Sequence, residues 1–152
     1  MTGRIILIGM PAGGKTTIGA ALSQALSVPL YDADTLTEQT VGCSIPEIFA
    51  AEGEAAFRAL ERRTLEALCT ETETPCVIAT GGGAVLTEQN RELLRRSGTV
   101  FWLDRTVDNI MSTDYAAGRP LLAGGEAALR ALYARCTRPA PIIGCLTALL
   151  TK

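Results

Sequence analysis

The stretch Gly9-Met10-Pro11-Ala12-Gly13-Gly14-Lys15-Thr16 fits the pattern G-x-x-x-x-G-K-[ST] at every fixed position. Glycines there let the backbone adopt conformations closed to other residues and lie close to a ligand. Successive backbone N–H groups can then cradle phosphate oxygens, helped by the positive end of the helix that follows. In such a loop Lys15 reaches the β- and γ-phosphates and the Thr16 hydroxyl ligates Mg2+. The flanks agree with this reading. Before the loop, Arg4-Ile5-Ile6-Leu7-Ile8 is a short apolar run, as a buried parallel strand requires. After it, Ile18, Ala21, Leu22, Ala25 and Leu26 are spaced for one face of a helix over residues 16–26. An ordinary glycine-rich turn is the alternative; with Lys and Thr both in place and both flanks correct, it is the weaker reading.

The rest of the composition narrows the chemistry. The 152 residues suffice for one compact domain with a real core. A hydrophobic share of 47% and a charged share of 20% are ordinary for a globular chain. The net charge of −2 argues against a nucleic-acid groove, which needs a basic stripe. No histidine is present, which excludes Ser-His-Asp and Cys-His triads and histidine metal sites. Chemistry must therefore use carboxylates, Lys, Arg, backbone amides and a metal ion. The cysteines at 43, 69, 76, 136 and 145 form no C-x-x-C pair and read as reduced packing residues of a cytoplasmic protein. The run before the loop is too short for a signal peptide, and the apolar tail 141–150 is too short to span a bilayer.

Further along, Val28-Pro29-Leu30-Tyr31 reads as a second strand ending at Asp32-Ala33-Asp34. The carboxyl ends of strands in open α/β sheets line the ligand crevice, and two positions spaced by two share a side in extended chain. Asp32 and Asp34 are thus either paired carboxylates beside the phosphate loop or an Asx turn or helix cap. Ser44-Ile45-Pro46-Glu47 is a capping box opening a helix over 45–51, broken at Gly53; a second helix runs over 54–70 with Phe57, Leu60, Leu65 and Leu68 as its apolar stripe. Arg58 and Glu61 are spaced to pair on that helix, and a solvated face is the plain reading for Arg58. A third strand over 75–80 runs into Gly81-Gly82-Gly83, where a ligand could lie against bare backbone; a loose turn is the other reading. Thr87 caps a polar helix ending at Ser97, residues 99–103 form a fourth strand, and Asp104 starts the next helix. The Gly- and Ala-rich segment 113–125 holds Arg119, either a lid cation or a solvated loop arginine. A helix over 126–136 and a weak fifth strand over 142–150 complete the chain. Strands alternating with helices predict an α/β fold of three layers, with a mostly parallel central sheet flanked by helices.

Taken in order, G-x-x-x-x-G-K-T, Asp-Ala-Asp, S-I-P-E-I-F-A-A-E-G-E-A-A-F-R-A-L-E, G-G-G and R-P-L-L closely resemble the shikimate kinases, over roughly residues 3–135. The resemblance implies a P-loop NTPase-like fold: one kinase domain over 1–152, with substrate-binding helices over 33–62 and a lid over 112–125. It implies ATP and shikimate as substrates, Mg2+ as cofactor, and a monomer with no nucleic-acid or membrane partner. Ala12, Gly13, Gly14, Lys15, Thr16 and Thr17 would hold the ATP phosphates, with Lys15 on the transferring group and Thr16 on Mg2+. Asp32 would orient Mg2+ through water. Asp34 would bind shikimate's hydroxyls and accept the attacking hydroxyl's proton. Arg58 would clamp the shikimate carboxylate, and Gly81, Gly82 and Gly83 would present amides to the ring. Arg119 would cover the γ-phosphate. Arg138, or else Arg135, would be the second substrate arginine.

Two departures qualify the resemblance. Ser112-Thr113 stand where the family usually carries a second basic residue, and only eleven residues follow Pro141. A shortened end would expose a sheet edge and hold the adenine poorly, so weak ATP binding or reduced stability is expected. A kinase of another hydroxy acid such as gluconate, or a catalytically impaired nucleotide-binding homologue, are the alternatives.

Overall fold

The structure, a computed structural model, describes residues 3–112 and 124–137. Its elements in chain order are β1 (Arg4–Gly9), α1 (Lys15–Leu26), β2 (Leu30–Asp32), α2 (Ala33–Val41), α3 (Ile45–Glu71), β3 (Cys76–Ala79), α4 (Glu88–Ser97), β4 (Gly98–Leu103), α5 (Val107–Met111) and α6 (Gly125–Thr137). The sheet order is β2-β3-β1-β4 and every neighbouring pair is parallel. Register sets Arg4 beside Cys76 and Gly98, and Leu7 beside Ala79 and Phe101.

The apolar run of β1 is continuous because both faces of the sheet are covered. Side chains alternate along a strand. Ile5 and Leu7 therefore join Val77 and Leu103 under α1, against Ile18 and Leu22. Ile6 and Ile8 turn the other way and pack with Ile78, Val100 and residues of α3, α4, α5 and α6. This is the three-layer build that the alternating pattern predicts. A fully buried aliphatic side chain such as Ile6 or Leu65 stabilises the fold by about 1.5–3 kcal/mol.

Because all four strands point one way, Gly9, Asp32, Ala79 and Leu103 end at one edge of the sheet. The phosphate loop, the Asp32–Asp34 segment, the three glycines and Asp104-Arg105 all leave from that edge. The sheet alone gathers segments far apart in sequence.

Several local expectations need correction. Asp34 is not in extended chain: α2 begins at Ala33, with Asp32 as its N-cap. The break expected at Gly53 is present: its φ of 82° leaves the helical region and divides α3 into two helical parts. The buried stripe of α3 is Phe57, Glu61, Leu65 and Leu68; Leu60 is half-buried, and a carboxylate takes a core position. Thr87 precedes α4, but its hydroxyl caps nothing. A 3₁₀ turn, Ala84–Leu86, stands before it. Thr106, not Asp104, caps α5, by accepting from the Asn109 amide. Residues 113–123 of the lid segment, Arg119 among them, the position of Arg138 and the fifth strand lie outside the described residues.

Candidate functional site

The phosphate loop is built as its sequence requires. Gly14 adopts φ +87° and caps α1, a conformation that strains any residue with a side chain. Ala12 enters the same left-handed region, at φ +57°, in spite of its Cβ. The Gly13 amide donates to the Met10 carbonyl at 3.0 Å, closing the turn. Lys15 is 7% exposed, and its Nζ donates to the carbonyls of Gly9 (2.9 Å) and Met10 (2.7 Å).

Thr16 Oγ1 donates to Asp32 Oδ2 at 2.8 Å, and Asp32 Oδ1 accepts from the Thr35 amide at 3.1 Å. One carboxylate therefore caps α2 and faces the loop hydroxyl. Among the described residues no cluster of three His, Cys, Asp or Glu side chains is suited to a metal. A hydroxyl beside a single carboxylate nevertheless fits Mg2+, which takes few protein ligands and fills its shell with water and phosphate oxygens.

The same cleft is lined by an acid, Asp34, and a guanidinium, Arg58. Asp34 lies in the first turn of α2. Arg58 donates from Nη1 to Glu61 Oε2 at 2.7 Å and from Nη2 to the exposed Glu54 at 3.2 Å. Its guanidinium also lies 5.2 Å from the centre of the Phe57 ring, which is tilted 40° to the Phe49 ring at a centroid distance of 4.9 Å. Glu61 is 2% exposed, and its Oε1 makes no hydrogen bond. Burial pushes the Glu61 carboxyl up from its ordinary value of 4.5; Arg58 opposes this, and Asp34 and Glu54 add to it.

The three glycines fit against Asp34, Glu61, Pro11 and Arg58 because they lack side chains. A Cβ on Gly81 would fall 2.6 Å from Asp34 Oδ1 and 2.7 Å from Glu61 Oε1. On Gly82 it would strike the Pro11 ring, and on Gly83 the Arg58 guanidinium. Gly82 and Gly83 line the cleft; Gly81 is packed behind them between two carboxylates. The buried Cys136 of α6 lies under the Gly82 carbonyl, at 3.9 Å. Burial raises its thiol pKa, which marks it as a packing residue.

The structure thus brings Ala12, Gly13, Gly14, Lys15, Thr16, Thr17, Asp32, Asp34, Arg58, Gly82 and Gly83 to one cleft of about 530 Å3. Arg135 is exposed on α6 and is not part of that lining. The reading of the sequence missed Glu61 as a cleft residue, and also Glu38, Phe49 and Arg105. Glu38 joins α2 to α3 by accepting from the Ile45 amide at 2.8 Å. Among the described residues no helix is long and apolar enough to cross a membrane.

Known proteins match this arrangement in sequence and in shape. The family model for shikimate kinase matches residues 11–140. A shikimate kinase of Rhodococcus jostii is 42% identical over 127 residues, covering 83% of this chain and 74% of that protein. The structure of a shikimate kinase from Acinetobacter baumannii in complex with shikimate superposes with a TM-score of 0.80 at 38% identity, over 86% of this chain and 73% of the other. A gluconokinase from Sinorhizobium meliloti, at 16% identity and a TM-score of 0.58 over 95% of this chain and 81% of its own, shares the fold alone. The extent of the family match and the identity to its curated members place this chain in the shikimate kinase family.

Proposed function

We propose that this chain transfers the γ-phosphate of ATP to the 3-hydroxyl of shikimate. One observation carries the reading. Lys15, Thr16, Asp34 and Arg58 all line a single cleft of a volume usual for small-molecule sites. A phosphate donor and a hydroxylated acid can meet there. The family relationship supports shikimate as that acid.

In this reading Gly13, Gly14, Lys15, Thr16 and Thr17 grip the triphosphate, and Thr16 ligates Mg2+ with Asp32 acting through water. When bound, Mg2+ neutralises charge on the phosphate oxygens. Arg58 forks onto the shikimate carboxylate. Asp34 orients the attacking hydroxyl and takes its proton. Arg119 and Arg138 are assigned by sequence, as lid cation and second carboxylate clamp. Phosphoryl transfer requires little covalent help from the protein, so alignment and charge stabilisation supply the rate. Losing one such contact costs about 3–4 kcal/mol of barrier, by analogy with oxyanion-hole deletions. We also propose a monomer of one kinase domain in the cytoplasm, a setting consistent with the free thiols of Cys43, Cys69, Cys76 and Cys136.

The test is ADP release, followed with Mg2+-ATP and either shikimate, gluconate or no acceptor. Release with shikimate alone is the expected result. Folded protein that binds shikimate without releasing ADP would be the impaired homologue, and release with gluconate instead would move the substrate assignment.

A further inference from the structure

Arg105 stands apart from the other cations of the cleft. It leaves the carboxyl end of β4, is half-buried and lines the cleft beside the phosphate loop. Its Nη1 donates to the Ala12 carbonyl at 2.9 Å, and its Nη2 to the Asn109 carbonyl at 3.2 Å. Among the described residues no carboxylate pairs with it, whereas Arg58 has two. A guanidinium carries five N–H donors in a planar fork, so donors remain for an anion in the cleft.

The carbonyl it holds is an informative one. Ala12 sits at φ +57°, a left-handed conformation that is unfavourable for an L-residue. The peptide that follows is pinned at both ends: its carbonyl accepts from Arg105, and its N–H, that of Gly13, donates to Met10 at 3.0 Å. With Lys15 on the Gly9 and Met10 carbonyls, three carbonyls of the loop accept from cations. Carbonyls held this way are kept from an incoming phosphate, which they would repel.

We propose that Arg105 is a nucleotide-binding residue of this chain, fixing the Ala12–Gly13 peptide and supplying a permanent cation to the polyphosphate of the bound nucleotide. The inference rests on the reading of the loop as the ATP site. It adds a residue 93 positions away from the loop, on a different strand end.

The experiment measures binding rather than turnover. Dissociation constants for ADP with Mg2+, for AMP and for shikimate are determined by calorimetry on the wild-type chain and on Arg105→Gln and Arg105→Lys, at low and high salt. Arg105→Gln should weaken ADP at least tenfold at low salt and leave shikimate within twofold. Arg105→Lys should recover part of the loss. The gap between wild type and Arg105→Gln should narrow as salt rises, because screening acts on a charge and not on packing. AMP, with one phosphate, should respond less than ADP. Unchanged ADP affinity in Arg105→Gln, or equal losses for ADP and shikimate, would overturn the proposal while leaving the ATP site intact. Wild-type protein that binds no ADP would overturn the loop reading and the proposal with it.

Discussion

Glu61 holds Arg58 from inside the core: its Oε2 accepts from Arg58 Nη1 at 2.7 Å while its Oε1 is sealed beside Gly81 without a hydrogen bond. A carboxylate so placed is costly when charged. Burial raises its pKa above 4.5 in the folded chain, so the folded state binds more protons than the unfolded one just above that pH. Stability from this group is therefore fully present below pH 4.5 and is lost as pH rises through the raised value, at up to about 1.4 kcal/mol per pH unit. Glu61→Gln keeps an acceptor for Arg58 and removes the titration. Its melting temperature should fall less than that of the wild type as pH rises from 4.5 into the neutral range. Parallel pH profiles for the two proteins would refute this account.

Arg58 serves two roles that can be separated. Arg58→Ala strips the partner from a carboxylate that is 2% exposed, a change that typically costs about 3–5 kcal/mol of stability. It also removes the proposed shikimate clamp, worth about 1.5–3 kcal/mol as a hydrogen bond to a charged group, or a KM for shikimate raised about 10- to 150-fold. Adding Glu61→Gln should restore much of the stability and none of the shikimate affinity. Melting temperature and the two KM values, measured on the single and double variants, check both halves.

What the sequence disclosed follows the range of the physics involved. The phosphate loop was legible because its glycines, lysine and threonine are contiguous. Both strand-end segments were legible because a parallel sheet delivers strand ends to one edge. The helix α2 was legible only through the family resemblance, not through periodicity, because it has no apolar stripe. Its buried residues are Ala33 and Thr37, and Thr37 and Thr40 satisfy their hydroxyls on carbonyls four residues back. Glu61 reads from the sequence only as a residue spaced to pair with Arg58. The signal was present, since Phe57, Glu61, Leu65 and Leu68 keep helical spacing, but a glutamate is rarely expected in a core stripe. Arg105 left no local trace, because its partner Ala12 is 93 residues away. Asp104, the first capping residue after β4, reads as the start of the next helix, whereas the cap is Thr106, two residues on, which accepts from the Asn109 amide.

Gly82 ties the glycine segment to the phosphate loop. A Cβ there would overlap the Pro11 ring and Pro11 N, neither of which can move without moving the loop. Gly82→Ala should therefore cost about 1–3 kcal/mol of stability as an overpacking change. It should also raise the KM for ATP and for shikimate together, unlike Arg58→Ala. Gly42→Ala provides the control: it meets nothing within 4 Å, so only the strain of its φ of 82° registers, and both KM values should remain unchanged.

Asp32 offers the sharpest separation of fold from chemistry, because its two oxygens do different work. Oδ1 accepts from the Thr35 amide and caps α2; Oδ2 accepts from the Thr16 hydroxyl and carries the charge proposed to orient Mg2+ through water. Asparagine caps helices as well as aspartate does, whereas alanine costs about 1 kcal/mol at such a position. Asp32→Asn should therefore melt close to the wild type, while Asp32→Ala should lose stability by about that amount. Both remove the charge, so both should need more Mg2+ for half-maximal rate, and by a similar factor. A thermal melt and a Mg2+ titration on the two variants give four numbers. If the Mg2+ requirement follows the melting temperature instead of the charge, Asp32 is a helix cap and nothing more, and the metal must be held without it.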